Sequence, residues 1–436
     1  MRLTSRAAGF YHSMGSQSRA QFQLKRAGAP PAQAARPAMA NTTTTKVTFW
    51  GVRGSTPTPE RGTWRYGGNT ACVEVVTGDG TRFILDCGTG IRLLGNRWEE
   101  QAGHRAIEAH ILVTHYHWDH IQGIPFFHPF FQQQNRFHFY SFESKYLGPN
   151  SLRKVLEQQM ASPYFPVDLS MLTAGREFHE VGGGEQFEIN GTRVTTRWLN
   201  HPQGCLGYRL DTPGGSIVYA TDNEPGVPEF DENLRQLSAG ADVLICDAQC
   251  SPEQLATTRK GWGHSSWLEC VKLARQAKAS NLFLFHHDPD SNDKTVDGFL
   301  FAARQEFAAT WAAMEGMAIQ LNEKGVDVTM RESRVGPRRR LRFAATVAGI
   351  GEDGKPFEEK AVVRDITLYG AYLSLSNRPA LQSELNLVIE ANAADNHPSL
   401  LSLRGTVVYS EAAPEKYKTG IGVLFVEDEE RGRTRD

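Results

Sequence analysis

None of the six cysteines, at positions 72, 87, 205, 246, 250 and 270, forms a CxxC pair. That scatter gives no disulfide framework and fits free thiols in a reducing compartment, so a cytoplasmic location is expected. No apolar run approaches the roughly 20 residues that a membrane span needs, which leaves no membrane partner to expect. An excess of one charge is also missing. The formal net charge is −2, and its summed field makes no case for a nucleic-acid or membrane surface. Acidic residues are absent from the first 45 positions, which hold six Arg or Lys among Ala, Pro, Ser and Thr. A transit peptide has such a composition, whereas a secretory signal needs an apolar segment that is not there. Residues 1–45 read as a disordered basic tail, or as the product of a mis-called start with Met39 the true one.

What is present is a globular composition, 40% hydrophobic and 22% charged over 436 residues. At roughly 100–200 residues per domain, that length suits two or three domains. From Lys46 the pattern is ordered. Strands are expected at Val47–Val52, Cys72–Val76, Arg82–Leu85, Ala109–Thr114, Arg193–Trp198, Ser216–Ala220, Ala241–Cys246 and Leu282–Phe285, with Gly-rich turns between. Helices are expected at Ser151–Met160, Ser265–Ala277 and Val296–Met314. The first part, 46–330, is therefore α/β. A charged, Gly- and Pro-containing linker at 331–337 precedes a run of about ninety residues, 338–428, with six short strands and little helix. That pattern suits a small β-barrel, and a charged tail, 429–436, follows it.

The most informative segment is Thr114-His-Tyr-His-Trp-Asp-His120. Imidazole and carboxylate are the usual ligands of zinc and related ions. A loop leaving a strand end can turn His115 and His117 to one metal while Asp119 and His120 face a second. Further candidates also follow strands: His201 in Leu-Asn-His-Pro, Asp222 after Ile217–Thr221, and His286 after Leu282–Phe285. Each alone is more often an ordinary surface or core residue; together with the cluster, and in this order, they complete a three-plus-three ligand set. His287 adjoins His286 and is the alternative at that position.

HxHxDH followed by His, Asp and His, each after a strand, resembles the metallo-β-lactamase superfamily. Gly51-Val-Arg-Gly-Ser-Thr-Pro, Arg65-Tyr-Gly-Gly-Asn69 and Leu199-Asn-His-Pro202 are similar to its phosphodiesterase branch, which includes RNase Z-type nucleases and phosphoribosyl cyclic phosphodiesterases. The resemblance covers roughly residues 46–330. It implies an αββα sandwich, a hydrolase activity and two divalent ions, zinc before manganese or iron. One ion would be held by His115, His117 and His201, the other by Asp119, His120 and His286, with Asp222 bridging and Asp119 and Asp222 also serving catalysis. The bridging carboxylate argues against a β-lactamase proper, since lactamases with such a His cluster lack it. His264, in Gly-Trp-Gly-His-Ser-Ser, resembles a general acid or phosphate-stabilising group; the plain alternative is a residue that packs at a helix start. Gly67, Gly68 and Asn69 are either a turn or a set of backbone amides close to substrate.

In the last ninety residues, Arg338-Arg-Arg-Leu-Arg342 and Asp365-Ile-Thr-Leu-Tyr-Gly370 resemble the RxxxR and [D/N]xSxxG motifs of PilZ domains, which bind cyclic di-GMP. Arginine matches phosphate bidentately and stacks on guanine. Arg338, Arg342, Asp365, Thr367 and Gly370 are the candidate contacts. Thr367 stands where that motif has serine, keeping the hydroxyl and adding a methyl group.

The expectation is thus a dinuclear phosphodiesterase for a small cyclic phosphate or nucleotide-type phosphodiester, tuned by cyclic di-GMP. One alternative is an RNase Z-like nuclease, against which stands the lack of a basic docking arm, so nucleic acid is the less favoured partner. The other is a cyclic di-GMP-binding signalling protein with the metal domain as scaffold. The sequence admits a homodimer.

Overall fold

A computed structural model describes residues 43–103, 105–329, 343–366, 370–380, 383–392, 398–412 and 419–426. Short runs rich in aliphatic, β-branched and aromatic residues form most strands of the first part. In chain order they are β1 (Thr45–Gly51), β2 (Cys72–Val76), β3 (Arg82–Leu85), β4 (Glu108–Leu112), β5 (Arg136–Ser141) and β6 (Gly175–Glu180). Next come β7 (Gln186–Ile189), β8 (Thr192–Leu199), β9 (Cys205–Thr212), β10 (Gly215–Ala220), β11 (Val243–Asp247), β12 (Leu282–Phe285), β13 (Thr310–Ala312), β14 (Ala318–Asn322) and β15 (Gly325–Thr329). The helices are α1 (Ile91–Ala102), α2 (Trp118–Ile121), α3 (Ser151–Gln159), α4 (Pro228–Leu237), α5 (Pro252–Ala256), α6 (Trp267–Ala277) and α7 (Asp293–Glu306).

The strands make two sheets. One runs β15-β14-β1-β2-β3-β4-β5-β6, the other β13-β12-β11-β10-β9-β8-β7. Their facing sides bury Phe49, Phe83, Leu85, Tyr208, Tyr219, Phe283 and Phe285 in one core. On the outer face of the first sheet, Leu94 and Trp98 of α1 and Leu152 and Leu156 of α3 pack with Ile84 and Ile111. Leu234 of α4, Val271 of α6 and Ala303 of α7 cover the other sheet. The layers are α/β/β/α, the sandwich that the sequence resemblance implies. Beyond it, β16 (Phe343–Ile350), β17 (Pro356–Ile366), β18 (Gly370–Leu375), β19 (Glu384–Asn392), β20 (Pro398–Ala412) and β21 (Thr419–Val426) close into a barrel in the order β16-β17-β18-β21-β20-β19. Its interior is filled by Val347, Val363, Leu373, Leu385, Leu387 and Ile421. Among the described residues no helix is long and apolar enough to cross a membrane.

The expected helix Val296–Met314 is a correction. Helix α7 stops at Glu306, and Thr310–Ala312 is a strand parallel to β12. Ala308 and Ala309 favour helix locally, but the β-branched and aromatic Thr310-Trp311 pair instead with β12, where Trp311 stacks on Phe283 at 6.5 Å. Tertiary pairing overrides propensity here.

Because β3 to β6 are mutually parallel and β10 to β13 likewise, their carboxyl ends gather at one end of the sandwich. Phe283 is fully buried, 5.8 Å from Phe49 across the inter-sheet core. Phe283→Ala is expected to cost roughly 3–5 kcal/mol, the range for an emptied aromatic site. The urea midpoint of the sandwich transition checks it.

Candidate metal centre

Six strand ends deliver the polar groups. Asp86 follows β3, the His115–His120 segment follows β4, His201 follows β8, Asp222 follows β10, Asp247 ends β11 and His286 follows β12. Apolar strands anchor each backbone, and the first residues past the core turn inward. The turns are tight: Asp86, Asp222 and His286 have φ of 59°, 57° and 58°. Left-handed backbone is disfavoured for residues with a side chain, though least so for Asn, Asp and His, which explains the residue types found there.

The sequence-derived candidates fall into adjoining groups. His115, His117 and His201 offer nitrogens within 4.8 Å of one another, as do the polar atoms of Asp119, His120 and His286. His201 Nε2 lies 3.0 Å from His117 Nδ1. His120 Nε2 lies 3.2 Å from His286 Nε2. Asp119 Oδ2 is 3.1 Å from each of those last two nitrogens. Asp222 spans the two sets. Its Oδ1 is 3.8 Å from His115 Nε2 and 3.7 Å from His201 Nε2, and its Oδ2 is 3.3 Å from His120 Nε2 and 3.4 Å from His286 Nε2. His287 points elsewhere, donating from Nε2 to the Ala313 carbonyl at 2.9 Å and packing 5.5 Å from the Tyr66 ring.

The outward ring nitrogens are occupied. His120 Nδ1 meets Asp86 Oδ2 at 2.8 Å, His201 Nδ1 the Gly263 carbonyl at 2.8 Å, and His117 Nε2 the Gln203 Oε1 at 3.0 Å. Those partners only accept, so the rings donate outward and a neutral ring keeps its lone pair for the interior. His115 Nε2 is buried without any hydrogen-bond partner. Several lone pairs and two carboxylates therefore converge on one largely buried site. Burial opposes a charge on His120, yet Asp119, Asp222 and Asp86 raise its pKa well above the ordinary value. The carboxylates make the local field negative, and nitrogen and oxygen donors of this kind fit zinc or a related divalent ion.

His264 stands at the rim, 3.7 Å from Asp222 Oδ1. Burial lowers its pKa, but Asp247, bonded to Nδ1 at 2.9 Å, outweighs this and sets it at about 9. A cleft of about 320 Å³ opens beside the centre, with His115 and His117 on one wall and Phe142, Tyr146, Leu147 and Gln203 on others.

Two glycines are there for space. A Cβ on Gly54 would sit 2.4 Å from His286 Cε1, and one on Gly263 would sit 2.3 Å from His201 Nδ1. Arg53, fully buried, ties the loops together: Nε donates to the Gly67 carbonyl at 2.7 Å, and Nη1 donates to the carbonyls of Asp288 and Ser291. The Asn69 amide donates to Glu315 at 2.6 Å, and its Nδ2 to the same carboxylate. Gly67–Asn69 is thus the turn of the two readings, with the Asn69 amide spent on Glu315. Asp86 and Asp247 were not singled out from the sequence, although each ends an apolar strand as Asp222 does. In the barrel, Asp365 lies in β17 opposite Tyr372, and Gly370 opens β18. Arg338, Arg342 and Thr367 lie outside the described residues.

With this geometry in view, the beta-lactamase superfamily domain family matches residues 81–287. The ribonuclease Z of Haloarcula marismortui is 25% identical over 293 residues, 56% of this chain and 86% of that protein. That of Thermoplasma acidophilum is 22% identical over 323 residues, 63% of this chain and 96% of its own. Human tRNase Z, short form, is a solved structure 21% identical, with a TM-score of 0.47, covering 63% of this chain and 98% of that one. The sandwich is a metallo-β-lactamase fold with a set of donors for divalent ions.

Asp86 takes bonds from the Thr114 amide, Thr114 Oγ1 and Tyr219 as well as facing His120. Asp86→Asn keeps the shape and tolerates the positive φ but weakens the hold on His120. It is expected to lower zinc affinity roughly 10–100-fold, measured by competition with a chelating dye.

Proposed function

We propose that the chain is a dinuclear metal-dependent phosphodiesterase. The carrying observation is Asp222, which turns one carboxylate oxygen toward each histidine group while His264 stands beside it. His115, His117 and His201 would hold one ion, Asp119, His120 and His286 the other, and Asp222 both. When bound, two such cations supply Lewis acidity and draw the pKa of water from 15.7 toward ~7.

The chain's own groups do the rest. Asp119 is fixed by the Ser55 amide, 2.7 Å from Oδ2, and with Asp222 is placed to take the proton of the attacking water. His264 has Nδ1 committed to Asp247, so Nε2 is the atom that steadies a phosphoryl oxygen or protonates the leaving oxygen. Phe142, Tyr146 and Leu147 give the cleft apolar walls, which suit the organic part of a small cyclic phosphate or nucleotide-type phosphodiester. A second reading, an RNase Z-like nuclease, is favoured by the ribonuclease Z relatives. A panel of cyclic nucleotides, cyclic ribose phosphates and tRNA precursors separates the two.

The regulatory part of the proposal is that the barrel is a PilZ-type domain that binds cyclic di-GMP. Six closed strands and the spacing of Arg338, Arg342, Asp365, Thr367 and Gly370 support it. Calorimetric titration of the whole folded chain should show cyclic di-GMP binding that Arg342→Ala removes; no binding by the wild type refutes this part alone.

With Mn²⁺ or Zn²⁺ the protein should cleave bis-p-nitrophenyl phosphate, and His117→Ala should abolish turnover. His264→Asn should lower kcat by roughly 10²–10⁴, the usual range for a lost general acid, with metal content unchanged. Wild-type protein with two ions bound but only thioesterase or lactamase turnover would sink the reading.

A further inference from the structure

A second convergence of metal-binding side chains lies away from the centre, toward the opposite end of the larger sheet. Parallel pairing sets His138 of β5 directly beside Glu177 of β6, and His179 follows two residues along the same strand. A period of two puts Glu177 and His179 on one face. One ligand atom from each of His138, Glu177 and His179 lies within 4.8 Å of the others. His138 Nδ1 is 3.3 Å from Glu177 Oε2, and its Nε2 is 3.3 Å from Glu108 Oε1. His179 Nε2 is buried without a hydrogen-bond partner. Its ring stacks on Tyr140 at 4.6 Å and on His138 at 5.9 Å, while His110 stacks on the other side of His138 at 4.9 Å.

We propose that His138, Glu177 and His179 form a separate site for one divalent cation of the zinc class. Two imidazoles and a carboxylate are a normal ligand set for such an ion, with water completing it. Glu108 plays the part that Asp86 plays in the main centre. It accepts the Nε2 proton of His138, which fixes the tautomer and turns the Nδ1 lone pair toward Glu177. Burial and neighbouring His138 lower the pKa of His179, so its ring is a neutral ligand. Glu177 Oε1 also meets Arg136 at 3.4 Å, leaving Oε2 for the ion.

The register aligns His138 with His110, five residues before His115. At 3.3 Å per residue that separation is about 16 Å, too far for an ion to be shared with the main centre. Strand β6 is the last of its sheet. An ion held by β5 and β6 would clamp that edge strand to its neighbour, a structural rather than catalytic task. The site stands independently of the phosphodiesterase reading.

The test counts ions on the full chain. Protein stripped by a chelator, reloaded with Zn²⁺ and desalted should carry one equivalent more than His138→Ala/His179→Ala treated alike, and both should cleave bis-p-nitrophenyl phosphate at the same rate. His120→Ala, altered in the main centre, should retain the extra equivalent. Should the double variant fold poorly, Glu177→Gln preserves size and should weaken the extra equivalent at least tenfold. Zn²⁺ should also raise the Tm of the wild type more than that of Glu177→Gln. Equal zinc content in wild type and both variants, or an equal Tm response, overturns the proposal and leaves plain His–Glu ion pairs.

Discussion

Imidazole nitrogens and carboxylates are forced to face one another in a largely buried site, and most of the first domain serves that arrangement. Left alone, such a cluster is repulsive, and burying a charge without a partner is costly. Rigid outer partners hold it in place. Asp86 fixes His120, the Gly263 carbonyl fixes His201, Gln203 meets His117 and Asp247 fixes His264. Asp86 and Asp247 sit at the ends of β3 and β11, whose Phe83, Leu85, Val243 and Ile245 fill the inter-sheet core, so packing there sets this part of the geometry, while Gln203 and Gly263 stand in loops. Gly54 and Gly263 show how little slack remains, since one methyl group at either would collide with a histidine ring.

That constraint explains which parts of the centre can be read from sequence. His115, His117, Asp119 and His120 lie within six residues, a local density that polar loops rarely reach. His201, Asp222 and His286 gain meaning only beside that cluster, as groups that follow apolar strands. Asp86 and Asp247 follow the same rule, yet a carboxylate after a strand is ambiguous until something is seen to bond to it. His286 and His287 point in different directions. His286 is the first residue past the strand, which favours it, and the turn there with φ of 58° carries its ring to the Asp119 and His120 side while His287 faces Ala313.

Fold elements were legible where periodicity was clean. Strands β2, β3 and β12 match their expected ranges, and the six barrel strands each appear, lengthened by pairing. Strands β5 and β6 were not read, because Arg136-Phe-His-Phe-Tyr-Ser and Gly-Arg-Glu-Phe-His-Glu put polar groups among the apolar ones. Those polar groups are the His–Glu contacts of a parallel pair, which no single segment displays. Helix α7 was over-extended for the converse reason: Ala308 and Ala309 favour helix, and the competing partner, β12, is distant in sequence.

The two ends of the larger sheet use the same chemistry to different effect. At the carboxyl ends, histidine and carboxylate groups are buried, Asp222 faces two sets of candidate ligands, and His264 lies beside Asp222. Toward the other end His138, Glu177 and His179 have an orienting carboxylate in Glu108, but they sit at a half-exposed edge and have no spanning carboxylate. Water already reaches Glu177, whose side chain is 49% exposed. A cation there would gain little from a low local dielectric. Its leverage would be on the edge strand, whose unpaired backbone groups are a standing liability in any open sheet. On these two proposals, what separates a reactive centre from a clamp is less the identity of the ligands than their burial and the presence of a second set within reach of the same carboxylate.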